Sequence, residues 1–162
     1  MTSIMVHTME YQGERVASSE VLMQYSDDDF DEYKRIYEDC FFEMRAALGI
    51  HPAKACDTRE SLRQKAESIF LYKQGTDLVG SVAVYGNEID DLIVAKDHQR
   101  KGYGKKLLTF AIAHMQGCNM APIILRVADW NKVAIRLYVK MGFCIIETET
   151  IKTLDKAREV VL

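Results

Sequence analysis

A chain of 162 residues with 48% hydrophobic and 28% charged side chains and only two prolines can bury a core of its own, which excludes a disordered, collagen-like or linker polypeptide. Twenty-one basic against 24 acidic side chains leave a formal charge of −3, too little positive excess for a domain devoted to gripping nucleic-acid backbones. No window approaches the roughly 20 continuous apolar residues of a membrane helix, and Met1 to Glu10 lacks a charged start, an apolar stretch and a cleavage site. The expectation is one cytoplasmic domain over 1–162, with neither nucleic acid nor membrane as partner.

Residues 1–19 are weakly patterned and read either as an N-terminal extension or as a short hairpin of Ile4 to Met9 and Arg15 to Ala17 around Tyr11-Gln12-Gly13-Glu14. Val21 to Tyr25 reads as a strand. Asp27-Asp28-Asp29 then offers N-caps to a helix whose acidic first turn suits the helix dipole. Phe30, Tyr33, Tyr37, Cys40, Phe41, Met44 and Leu48 recur at helical spacing until Gly49. His51-Pro52 breaks the pattern, and Asp57 and Glu60 stand at capping-box spacing before a second helix reaching about Glu67, with Leu62 and Ala66 inward.

Ile69 to Lys73, Leu78 to Tyr85 and Glu88 to Val94 are β-rich, and the turn signals Gln74-Gly75-Thr76-Asp77 and Gly86-Asn87 join them into consecutive antiparallel strands. From Gly104 to Gln116 the residues Leu107, Leu108, Ala111, Ile112 and Met115 form one helical stripe that Gly117 stops. Pro122 opens a strand from Ile123 to Ala128. Ala134, Leu137, Tyr138 and Met141 stripe the next helix, Gly142 ends it, and Phe143 to Glu149 is again strand, the tail after Thr150 being ambiguous. No repeat interrupts this order, which predicts an α/β fold on a mixed, mostly antiparallel sheet with helices on both faces. Cys40, Cys56, Cys118 and Cys144 form no C-x-x-C pair, and His7, His51, His98 and His114 are dispersed, so buried free thiols and no metal site are expected.

The stretch from Ile93 to Lys106 joins a strand, a basic glycine loop and a helix start. Gly102 and Gly104 let a ligand approach the bare backbone, so the amides from Arg100 through Lys101, Gly102, Tyr103 and Gly104 to Lys105 can converge at a helix N-terminus, as a diphosphate requires. Basic residues at that end of a helix oppose its dipole, which favours an anionic ligand over an idle solvated helix start. Gly75 to Gly80 has the glycine spacing of a nucleotide-triphosphatase loop but continues with Ser81-Val82 in place of lysine. Leu107 stands where a dinucleotide fingerprint needs its third glycine, and the preceding strand belongs to a hairpin series, which disfavours a Rossmann domain.

Gln99-x-x-Gly102-x-Gly104 after a strand resembles the acetyl-CoA pyrophosphate loop of the GNAT superfamily of N-acetyltransferases. Downstream, Asn131-x-x-Ala134-x-x-Leu137-Tyr138-x-x-Met141-Gly142-Phe143 is similar to a second segment of that family. The likeness spans residues 69–147; Lys96-Asp97-His98-Gln99 departs from the proline and aromatic residue that many relatives carry before the loop. The resemblance implies a splayed pair of central strands, with the pantetheine arm of acetyl-CoA bonded to the backbone of Leu92, Ile93 and Val94 and to Asn131, and the pyrophosphate on Gln99 to Lys105. Tyr138 matches a tyrosine that protonates the departing thiolate. Asp90 is the first choice for a base and Glu88 the second, and alternation puts these two on one face and Asp91 on the other unless a bulge intervenes. The same carboxylates suit a cationic amine. The implied function is acetyl transfer from acetyl-CoA to a primary amine, either a small cationic molecule or a protein N-terminus or lysine. The alternative is an acyl-CoA-binding sensor without catalysis. A homodimer is compatible with the family. Trp130 reads as packing beneath the loop or as acceptor wall, Asp27 to Glu32 as a capped helix start or an acceptor patch, and Cys144 as strand core.

Overall fold

In a computed structural model that describes residues 3–152, seven strands form one sheet in the order β2-β3-β4-β5-β6-β1-β7. The strands are β1 Ser3–Tyr11, β2 Met23–Gln24, β3 Ile69–Gln74, β4 Asp77–Tyr85, β5 Glu88–Val94, β6 Ile124–Ala128 and β7 Phe143–Lys152; the helices are α1 Phe30–Ala47, α2 Arg59–Gln64, α3 Tyr103–Gly117 and α4 Lys132–Met141. Every neighbouring pair is antiparallel except β5 with β6. No helix among the described residues is long and apolar enough to cross a membrane.

Two apolar cores lie on opposite faces of this sheet. Tyr33, Ile36, Phe41 and Met44 of α1 pack with Leu62, Ala83 and Ile93 on one side, while Leu107, Leu108, Ala111 and Ile112 of α3 pack with Val82, Val84 and Ile89 on the other. β4 is sandwiched between them, so Leu78 through Val84 is buried without interruption and reads as a continuous apolar run with little alternation.

The expected N-terminal hairpin is not formed. Ser3–Tyr11 is a full strand inserted between β6 and β7, and the chain after it has no regular partner until Met23. Ile4 and Val6 face the α1 side and Met9 the α3 side, as alternation along an extended strand requires; the bulge opposite Thr8 and Met9 lies in β7, where Ile146 is the surplus residue. The expected strand Val21 to Tyr25 shrinks to Met23–Gln24. The second helix ends at Gln64 and is capped by Thr58, whose side chain accepts from the Ser61 amide, in place of Asp57. α1 is entered through a capping box of Ser26 and Asp29. The tail that begins after Thr150 is strand through Lys152, and its remainder, 153–162, lies outside the described residues.

Gly80 explains why a glycine interrupts the buried run of β4. A Cβ there would lie 2.7 Å from the Ile93 carbonyl oxygen and 2.8 Å from Leu107 Cδ1, so the residue sets how closely β4 approaches β5 and α3. Gly80→Ala is expected to destabilise the fold by roughly 1–3 kcal/mol, read as a lower midpoint in chemical denaturation; an unchanged midpoint would contradict this packing.

Candidate active site

The parallel ladder of β5 and β6 lasts two residue pairs, Glu88 with Ile124 and Ile89 with Leu125, after which the strands separate. β5 stays bonded to β4 while β6 stays bonded to β1, so a gap opens in the middle of the sheet. Val94 lies opposite Gly80, and the Ala95 amide donates to the Val79 carbonyl at 2.8 Å. This register turns the peptide groups of Ile93 toward β4 and those of Leu92 and Val94 toward the gap. Of the three positions expected to offer backbone to an extended ligand, Ile93 is therefore spent on the sheet. The Val94 carbonyl accepts from the Cys40 thiol at 3.2 Å and from Gln99 Nε2 at 3.0 Å.

Between Asp90, opposite Ala83, and Ile93, opposite Ser81, β5 carries one residue more than β4. The bulge falls at Asp91, a non-glycine residue with φ 48°. Simple alternation would put Asp91 across the sheet from Asp90, but the extra residue brings both carboxyl groups to the α1 side. Tyr37 of α1 donates its hydroxyl to Asp91 at 3.0 Å, and the Asp91 amide donates to the Asp90 side chain at 2.7 Å. Burial, and then the Asp91 charge, raise the Asp90 carboxyl above the usual carboxylate range. Burial raises Asp91 as well, against the hydroxyl of Tyr37 and the charge of Lys65. Glu88, half-buried, is raised by burial and drawn back by Arg126.

Tyr138 of α4, the helix that follows β6, is 7% exposed and packed edge-on against Phe143 with ring centroids 6.1 Å apart. Burial pushes its phenol pKa up, and the negative charge of Asp90 adds to the rise. Such a phenol stays protonated at neutral pH and has a proton to donate. Asn131 caps α4, its Oδ1 accepting from the Ala134 amide at 3.2 Å. That bond leaves the Nδ2 end of the side chain as its free donor.

The glycine loop closes one end of the gap. Arg100 has φ 63° and Gly102 φ 87°, with Lys101 between them. Alternation of left- and right-handed residues turns successive N–H groups to one side, and α3 begins at Tyr103 with no side-chain cap on its first amides. A Cβ at Gly102 would meet nothing within 4 Å, so the flank of the loop at that residue is open. Arg100, Lys101 and Lys105 are exposed; Gly104 rests near Leu137, and the Tyr103 hydroxyl accepts from Gln74 Nε2 at 2.5 Å.

Other expectations change. Trp130 is 45% exposed in the turn before α4 and does not pack beneath the loop. Cys118 and Cys144 are exposed and Cys40 and Cys56 half-buried, so the four thiols are free but not core residues, and Cys144 lies on the outer strand β7. The acidic start of α1 is occupied by the fold: Asp27 pairs with Arg59 and Arg63, Asp29 with Lys73, and Glu32 accepts the Leu78 amide. Tyr37 and Cys40 were legible only as an apolar helix stripe, because their contacts with Asp91 and Val94 span 54 residues.

The sequence model of the acetyltransferase (GNAT) family matches residues 23–143. The chain is 27% identical over 108 residues to streptothricin acetyltransferase A of Bacillus subtilis, the match covering 62% of each chain. It is 30% identical over 117 residues to mycothiol acetyltransferase of Streptomyces coelicolor, covering 64% of the present chain and 38% of that protein. It thus spans less than two thirds of the length of either relative. The PaiA N-acetyltransferase of Thermoplasma acidophilum, solved with coenzyme A, superposes with a TM-score of 0.61 at 16% identity over 74% of this chain and 86% of its own, a likeness of fold.

Because Asp90 and Asp91 both hold protons above the usual carboxylate range in the folded chain, the stability they contribute is full in acid and is lost as pH rises through the raised values. Asp91→Asn is expected to lower the pH at which Asp90 titrates, followed by carboxyl carbon NMR, and to flatten the fall of the denaturation midpoint with rising pH. An Asp90 titration that does not move would show that the two carboxyl groups are uncoupled.

Proposed function

The chain belongs to the acetyltransferase (GNAT) family, and from that premise we propose that it moves an acetyl group from acetyl-CoA to a primary amine by direct attack within a ternary complex. The observation that carries this reading is the gap itself. A β-strand edge left unpaired inside a sheet lies between convergent amides at one end and a buried, protonated phenol beside a buried carboxyl pair at the other.

The residues present fit acetyl-CoA. The amides from Arg100 to Lys105 can cradle a diphosphate, the Leu92 peptide group and the Val94 N–H match an extended arm with amides, the Val94 carbonyl being taken by Cys40 and Gln99, and Asn131 Nδ2 can donate to a carbonyl of that arm. The cosubstrate supplies an activated thioester. The protein's part is to orient and to manage protons. Holding both reactants in one cleft replaces much of the entropy cost of their encounter. The Leu92 N–H, facing the gap, can stabilise negative charge on a carbonyl oxygen there. Tyr138 donates a proton to the leaving sulfur. Asp90, or Glu88, takes one from the ammonium of the acceptor, and a carboxyl raised toward neutrality is better matched to that transfer than an ordinary one. Glu88, Asp90 and Asp91 on the α1 side line the acceptor end of the gap with carboxyl groups that suit a cationic amine, a small molecule first and a protein N-terminus or lysine by the same chemistry.

Calorimetry with acetyl-CoA, followed by thiol release across polyamines, aminoglycosides, amino acids and peptides, tests the reading. Binding with release on cationic amines is expected; binding with no release from any acceptor would turn the reading into that of a sensor. Tyr138→Phe is expected to lower turnover by about 10²-fold or more with little change in acetyl-CoA affinity, and wild-type turnover would remove the phenol from the mechanism.

A further inference from the structure

β1 and Thr148 lie outside the segment that the family matches, yet they hold the helix that carries Asn131 and Tyr138. β1 and the residue that follows it fasten α4 at both ends: the Asp129 amide donates to the Met5 carbonyl at 2.8 Å before the helix, and the Gln12 amide donates to the Gly142 carbonyl at 2.9 Å after it. Between these bonds His7, 8% exposed, joins two further elements. Its Nδ1 is 2.8 Å from Thr148 Oγ1 on β7, and its Nε2 is 2.7 Å from Asp129 Oδ1. An ionised carboxylate only accepts, so Nε2 carries a proton; Nδ1 can then accept from the Thr148 hydroxyl, and a neutral ring satisfies both contacts. Asp129 Oδ1 also accepts from Lys132 Nζ at 2.8 Å, within the first turn of α4. Two residues beyond Asp129 stands Asn131, whose Oδ1 is committed to the helix cap.

We propose that His7 is a positioning residue for the cosubstrate site: its bond to Asp129 fixes the turn from β6 into α4 and thereby the direction in which the Asn131 Nδ2 points. This rests on the reading in which Asn131 meets the arm of acetyl-CoA. The competing role is a staple between β1 and β7 through Thr148, with no consequence for the ligand. The two nitrogens of the ring separate these roles, because an asparagine amide reaches to about where Nδ1 lies and a glutamine amide to about where Nε2 lies. His7→Gln keeps the bond to Asp129 and gives up Thr148, whereas His7→Asn does the reverse.

The test is the dissociation constant of acetyl-CoA by calorimetry on the full chain, with thermal melting of every variant alongside. His7→Gln and Thr148→Val are expected to bind within about twofold of the wild type, and His7→Asn and Asp129→Ala about tenfold more weakly, the scale of one lost hydrogen bond to a charged group. Melting temperatures of the two His7 variants should fall together while their affinities part. Asp129 lies partly exposed, so Asp129→Ala gives the answer if His7→Asn does not fold. Equal affinities for His7→Gln and His7→Asn, or full affinity in Asp129→Ala, would overturn the positioning role. A wild-type chain that binds no acetyl-CoA would instead overturn the reading of the site from which it starts.

Discussion

One surplus residue in β5 governs the chemistry of this sheet. Asp91 has no counterpart on β4, and accommodating it requires a left-handed backbone at a residue other than glycine, which is sparsely populated and costs energy. The strain is held by contacts on every side: Tyr37 bonds the carboxyl, the Asp90 side chain takes the amide, and β4 resumes its ladder at Ile93. From the same irregularity come two adjacent buried carboxyl groups and a Leu92 amide aimed at the gap. A regular β5 would have sent Asp91 to the α3 side and paired Leu92 differently.

The sheet supports this arrangement by dividing its labour. β5 belongs to the half built from β2, β3 and β4, while β6 belongs to the half built from β1 and β7, and only two residue pairs join the halves. Each half is bonded into its own neighbours, so the gap between them can stay open without leaving the sheet unstable. The cores on the two faces bridge the halves: Ala128 and Val6 pack in the same cluster as Ile93, and Leu125 and Val127 in the same cluster as Ile89.

Much of this was legible in the sequence. The helical stripes of α1, α3 and α4, the hairpin series β3 to β5 and the glycine loop are local patterns, set by spacing along a few turns or strands, and the paired motifs at Gln99 to Gly104 and Asn131 to Phe143 carried the family. The placement of β1 was not legible, because its partners lie more than 110 residues away and burial on both faces of the strand hides the period of two. The site divides along the same line. Tyr138 and Asn131 stand in a recognisable segment, whereas the common face of Asp90 and Asp91 depends on a register shift that no composition or spacing announces. The acidic start of α1 is a capped helix start, as the first of its two readings had it, but the pairing of Asp27 and Asp29 with basic residues is decided by α2 and β3, which the local sequence cannot see.

The inner position of β1, between β6 and the edge strand β7, has a cost in the order of assembly. This strand leaves the ribosome long before β6 and β7, and until Ala128 and Ile151 are made, Val6 and Ile4 have no registered neighbours on either flank. The chain must therefore carry an unpaired, half-apolar ribbon through most of its synthesis, and the closure that completes the sheet joins residues far apart in sequence, the kind of contact that forms late and slowly. The strand that fastens α4 is thus among the first made and the last paired.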